Sequence, residues 1–138
     1  MNYKYMGSNT RAELVNCQND TYTDYDGNII RLSDKAKGMF TEMVCRIKNI
    51  LNCDTPIVNG DMEMIDPEQA ILGANFNKGE IIIIDNLYID EAYNFTCFRE
   101  KLVETICHEI AHNKYDHHGR WHSRLTKQYY EQVIGKVL

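Results

Sequence analysis

The sequence predicts an α+β domain in which a small mixed or antiparallel sheet packs against an N-terminal helix, a second helix rich in histidine and a C-terminal helix. Three observations carry this prediction. Residues 34–52 and 96–115 repeat apolar side chains at helical spacing. Residues 80–85 (EIIIID) form a β-branched run. Residues 120–135 place apolar side chains every fourth position. At 138 residues the chain fits one domain, 1–138, with enough length to bury a core. Hydrophobic residues at 43% and charged residues at 25% are ordinary globular composition and exclude a disordered polyelectrolyte.

Taken in order, residues 1–19 have only weak periodicity. Residues 20–32 carry a turn signal, Asp26-Gly27-Asn28, between two strand-like runs. An EF-hand alignment of Asp24, Asp26 and Gly27 fails, because Tyr22 and Ser33 then fall where the first and last ligands belong. Helix 34–52, capped by Ser33 or Asp34, turns Ala36, Met39, Phe40, Met43, Val44, Ile47, Ile50 and Leu51 to one face. Residues 57–65 read as a strand interrupted at Asn59-Gly60, residues 69–76 as another, and Asn77-Lys78-Gly79 as a turn. The four isoleucines of EIIIID show no alternation, so both faces of that strand should be covered. Asp85, Asp90 and Glu91 then read as loop acids. Helix 96–115, with Thr96 as its cap, presents Phe98, Leu102, Val103, Ile106, Cys107 and Ile110 as a core stripe. Gly119 breaks the chain. The third helix follows, with Trp121, Leu125, Tyr129 and Val133 aligned.

Composition excludes several functions. The longest aliphatic run is four residues, whereas a bilayer span needs about 20, so no membrane partner is expected. The N-terminal residues lack an apolar signal core, which points to the cytoplasm. A net charge of −5 speaks against generic nucleic-acid affinity, although residues 99–138, with seven Lys/Arg and five Asp/Glu, carry +2. Five cysteines without a Cys-x-x-Cys argue against a disulfide framework or zinc ribbon. Cys45 and Cys107 fall within apolar stripes and read as small core residues.

Chemistry concentrates in His108-Glu109-Ile110-Ala111-His112. Histidines at i and i+4 lie about 40° apart around a helix, so both imidazoles reach one point beside it, as two ligands of a tetrahedral Zn²⁺ require. Glu109 projects away from that point yet stays within reach of a water on the metal, the position of a general base. A hydrolytic zinc takes three protein ligands and keeps one position open. All five histidines lie within residues 108–122. His118, ten residues after His108 and followed by the turn-forming Gly119, is the first choice as third ligand, with His117, His122 and Glu131 as alternatives. Glu131 stands nineteen residues past His112, where another class of HExxH enzymes has a glutamate ligand.

The segment HEIAHNKYDHHGRWHSRL, residues 108–125, resembles the active-site segment of small zincins of the SprT/YgjP-like kind, with His118, Gly119 and Trp121 matching their arrangement. Metzincins share the His108-to-His118 spacing, but Tyr115 stands where they have glycine. The resemblance implies a zincin-like, zinc-dependent peptidase with His108, His112 and His118 as ligands, Glu109 as base, and a peptide or protein as substrate. SprT-like proteins often carry a C-terminal zinc ribbon or basic DNA-binding segment, and no cysteine pair of that kind occurs in this sequence.

For an acyl transition state a donor must meet the developing oxyanion. Tyr115, His117, Arg120 and His122 are the candidates for that role or for supporting the ligands. The strand at 80–85, or the one before it, offers an edge for an extended peptide. The alternative reading is a metal-stabilised binding or regulatory domain without protease activity. A further one is hydrolysis of a non-peptide bond at the same metal.

Overall fold

In a computed structural model that describes residues 16–64 and 71–138, the chain is α+β. Strands β1 (Thr21–Thr23) and β2 (Ile29–Arg31) form the expected hairpin, with Gly27 at φ 84° in its turn. Helix α1 (Asp34–Leu51) follows. The Ser33 hydroxyl caps it by accepting from Ala36 N at 3.1 Å, and Asn52 ends it in the left-handed region. The sheet comes next: β3 (Ile57–Gly60), a short 3₁₀ turn (Met62–Met64), β4 (Gly73–Phe76) and β5 (Ile81–Asp85). Its order is β3-β5-β4, with β3 parallel and β4 antiparallel to the central β5. The sheet is therefore mixed. The strand expected over 57–65 stops at Gly60, and the one expected over 69–76 is regular only from Gly73; residues 65–70, like 1–15, lie outside the described residues.

The isoleucine run behaves as its lack of alternation requires. Ile82 and Ile84 face the helices, in a core with Phe40, Ile47, Ile89, Leu102 and Ile106. Ile83 faces the other way, onto Cys17, Met62, Ile71, Ala74 and Phe76. All three isoleucines are fully buried.

Helix α2 (Asn86–Asn94) occupies a stretch read as loop. Asp85 is its N-cap, and Asp90 is 7% exposed, taking the Tyr22 hydroxyl at 2.6 Å and the Ser33 hydroxyl at 3.2 Å. Asp85 and Asp90 are thus structural acids rather than loop acids, and Glu91 lies in the same helix, accepting from the Tyr25 hydroxyl. A 3₁₀ turn (Thr96–Phe98) leads into α3 (Arg99–Ala111), shorter at both ends than the expected 96–115 and without a Thr96 cap. Helix α4 (Arg120–Val137) closes the chain. Its Val133 is fully buried, but Trp121, expected on the same stripe, is 55% exposed, with the guanidinium groups of Arg120 and Arg124 over its ring. Cys107 is buried as expected; Cys45 is exposed, and all five thiols are free. Among the described residues no helix is long and apolar enough to cross a membrane.

Candidate metal centre

Helix α3 delivers the motif and α4 closes over it. Leu102, Val103, Ile106, Cys107 and Ile110 press α3 into the core, which leaves His108 and His112 at the core's border. The helix ends at Ala111 because its last turn is captured from outside. The amide of His112 turns to the Glu109 carbonyl at 3.1 Å. That carbonyl also accepts from the buried Asn75 side chain of β4 at 2.8 Å. Asn75 bonds Asn113 as well, at 2.7 Å, and accepts from Gly79 N at 2.8 Å. The β4–β5 hairpin thereby fixes the end of the motif helix, satisfying carbonyls that a helix terminus leaves open.

The chain then loops through residues 112–119 and brings His118 back. The Nε2 atoms of His108, His112 and His118 form a triangle with sides of 3.3, 3.2 and 3.0 Å. For metal–nitrogen bonds of about 2.0–2.1 Å, the edge of a tetrahedron is about 3.3–3.4 Å. These three residues fit a tetrahedral cation with one vertex left over. The His112 Nδ1–H donates to the Tyr115 carbonyl at 2.8 Å, which fixes the tautomer whose Nε2 lone pair faces the triangle. A looser set also exists: one nitrogen each of His108, His112 and His122 lies within 4.8 Å of the others. The tighter set is the better fit, because its Nε2 atoms stand at the edge length that a tetrahedral cation needs; His122 Nε2 donates to the His108 carbonyl at 2.9 Å.

Electrostatics agree with a cation site. Burial, followed by the neighbouring imidazoles, pushes His108 down to about 2. Burial also lowers His112 to about 4, against the opposing pull of its bond to Tyr115. These rings are neutral and able to bind metal at ordinary pH. Glu109 is fully buried, and neither of its carboxylate oxygens has a hydrogen-bond partner among the described residues. Burial pushes it up to about 8. A buried, orphaned carboxyl on the helix that carries two of the imidazoles is a candidate reactive group.

The remaining candidates are scattered. Tyr115 contributes its backbone carbonyl to His112, and its side chain is partly exposed. His117 is exposed and its carbonyl accepts from Gly119 N. Arg120 lies over the Trp121 ring. Glu131 faces solvent on α4, 3.9 Å from Lys127 Nζ, and is not brought into the imidazole cluster. Gly119 caps α4 with φ −113°, and a Cβ there would meet nothing, so its role in the return is not one that only glycine can play. Sequence reasoning missed Asn75. Its signal was available: a lone polar side chain in an apolar strand must find a partner once buried. A groove of about 450 Å³, with Glu104, Ser123 and Lys127 in its lining, opens from His108, His118 and His122 along the α3–α4 seam.

Residues 28–135, well over half of the chain, match the family model of the WLM domain. No curated protein and no solved structure matches the chain. The match agrees with the zincin-like group that the motif resembles, without singling out a SprT or YgjP relative. By this match and by its α+β fold, the chain belongs to the WLM-domain family, a metalloprotease-related group of the SprT-like, zincin type.

Proposed function

We propose that the chain is a zinc-dependent metallopeptidase. His108, His112 and His118 hold the ion and Glu109 is the general base. The observation that carries this reading is the triangle of Nε2 atoms with sides of 3.0–3.3 Å, joined on the same helix by an unpartnered, fully buried glutamate. Three imidazole donors at tetrahedral spacing suit zinc better than calcium or magnesium, which prefer oxygen. Zinc, when bound, polarises a carbonyl and lowers the pKa of water toward about 7.

The protein's own residues supply the rest. Glu109 accepts the proton of the attacking water and hands it to the leaving amine. Its burial favours the protonated form it must pass through, and holds solvent off the exchange. Strand β4 is an edge of the three-stranded sheet among the described residues, and its Gly73 lies against Glu109: a Cβ there would sit 3.5 Å from Glu109 Cγ. An extended peptide pairing along β4 would run past the base. The α3–α4 groove gives a substrate side chain room beside His108 and His118.

The test is metal content and proteolysis together. Purified protein should hold one zinc per chain and cleave an unfolded protein such as casein. Glu109→Gln should keep the zinc and lose cleavage by about 10²- to 10⁴-fold. Protein without stoichiometric metal, or a fully active Glu109→Gln, would overturn the reading.

A further inference from the structure

We propose that His122 is a positioning residue of the metal centre: a fourth imidazole that does not coordinate but holds the two helical ligands in place. The inference rests on the zinc reading above and deepens it.

His122 is 2% exposed in the first turn of α4. Three of its contacts reach the ligand residues at the end of α3, His108 and His112. Its Nε2–H donates to the His108 carbonyl at 2.9 Å. Its ring stacks on that of His112, with centroids 4.1 Å apart and planes 21° apart. The same ring meets His108 edge to face at 4.3 Å and 83°. One side chain therefore fixes the backbone under one ligand and limits the ring rotation of two.

The backbone contact has a local reason. At the end of α3 the His112 amide bonds the Glu109 carbonyl, three residues back. His122 adds a donor to the His108 carbonyl in the same last turn. The same hydrogen bond decides its role. With Nε2 protonated and bonded to the His108 carbonyl, that nitrogen has no lone pair to offer a cation.

The short connection makes the arrangement economical in sequence. His118 ligates, Gly119 caps and α4 starts at Arg120, so His122 stands one turn past the third ligand. Its ring centroid is 5.5 Å from that of His118. Whatever seats α4 on α3 also seats the ligand and its support together.

Three variants separate the contacts. His122→Phe keeps a ring and removes the donor, His122→Gln keeps a donor and removes the ring, and His122→Ala removes both. Each is compared with wild type by zinc affinity in chelator competition, by the visible spectrum of the Co²⁺-loaded protein, and by thermal unfolding of the metal-free protein. The expected result is a zinc affinity roughly 10- to 100-fold weaker in Phe and Gln, and weaker still in Ala. The Co²⁺ bands should move in position while their intensity keeps the wild-type coordination number. Unfolding of the metal-free Phe variant should stay close to wild type, so that the loss is of metal geometry and not of fold. Wild-type affinity and spectrum in both Phe and Gln would overturn the proposal. So would a change of coordination number, which would make His122 a ligand. If Ala does not fold, Phe and Gln decide the matter. Failure of the wild type itself to take up zinc would instead sink the metallopeptidase reading on which this proposal stands.

Discussion

At the scale of single residues, burial sets the pH response. His108 and His112 are held neutral by burial, at about 2 and about 4 against an ordinary 6.5. In the unfolded chain they take up protons near 6.5, and in the folded chain only far below it. The stability they support is complete above 6.5 and drains as pH falls from 6.5, toward about 4 for His112 and about 2 for His108. Glu109 acts in the opposite sense. Its folded value of about 8 against an ordinary 4.5 means that the metal-free protein keeps a proton the unfolded chain has lost. That stabilisation is present at low pH and lost as pH rises from 4.5 through 8. Urea unfolding of metal-free Glu109→Gln should therefore match wild type near pH 5 and be the more stable near pH 8, a gap widening with pH. Zinc affinity should fall as pH drops through about 4, where His112 takes up a proton that it must shed to bind. Titration of zinc release against pH checks this; an affinity flat down to about pH 2 would contradict imidazole ligation.

At the scale of elements, two contacts decide where the motif helix sits. Asn75 ties β4 to the Glu109 carbonyl and to Asn113. Asn75→Leu should destabilise by about 1–3 kcal/mol, because it leaves buried polar groups unpaired, and should weaken zinc binding by loosening the end of α3. Denaturant melts and chelator competition read the two effects separately. Gly60 ends β3 where a Cβ would lie 2.5 Å from the Cys17 carbonyl oxygen and 2.7 Å from Ile83 Cγ2. Gly60→Ala should cost about 1–3 kcal/mol through overpacking, whereas Gly119→Ser, at an open N-cap, should be neutral or slightly stabilising. Equal melting of the two variants would refute that contrast. The same scale shows why α2 was not legible. It starts directly after β5 with no glycine or proline between, and its residues, NLYIDEAYN, mix aromatic and turn-forming types. Packing against α1 and the Asp85 cap decide it. The early end of α3 has a similar cause: no helix breaker occupies residues 112–115, and the stop is made by Asn75 and by the His112–Tyr115 bond.

At the scale of the whole molecule, the metal centre borders an apolar core that spans the fold. That core runs from Leu32 to Val133 and unites α1, α2, α3, α4 and one sheet face. A scaffold that folds on its own core should survive loss of its ion. Chelation is expected to abolish proteolysis and lower the melting temperature by several degrees, by mass action, while leaving the far-UV signature of the helices. A chelated protein without helical signal would favour the alternative of a metal-stabilised binding domain.

The α+β class, the long helix after Ser33, the doubly covered isoleucine strand and the pairing of His108 with His112 are written in the order of the residues. These follow from periodicity and i, i+4 spacing, which are properties of neighbours along the chain. The meeting of His118 with that pair, the grip of Asn75 on the helix end and the burial of His122 against both rings arise in the folded molecule alone. Those depend on how a loop closes and which surfaces pack. Hydrogen bonds between residues far apart in sequence leave no local pattern to read.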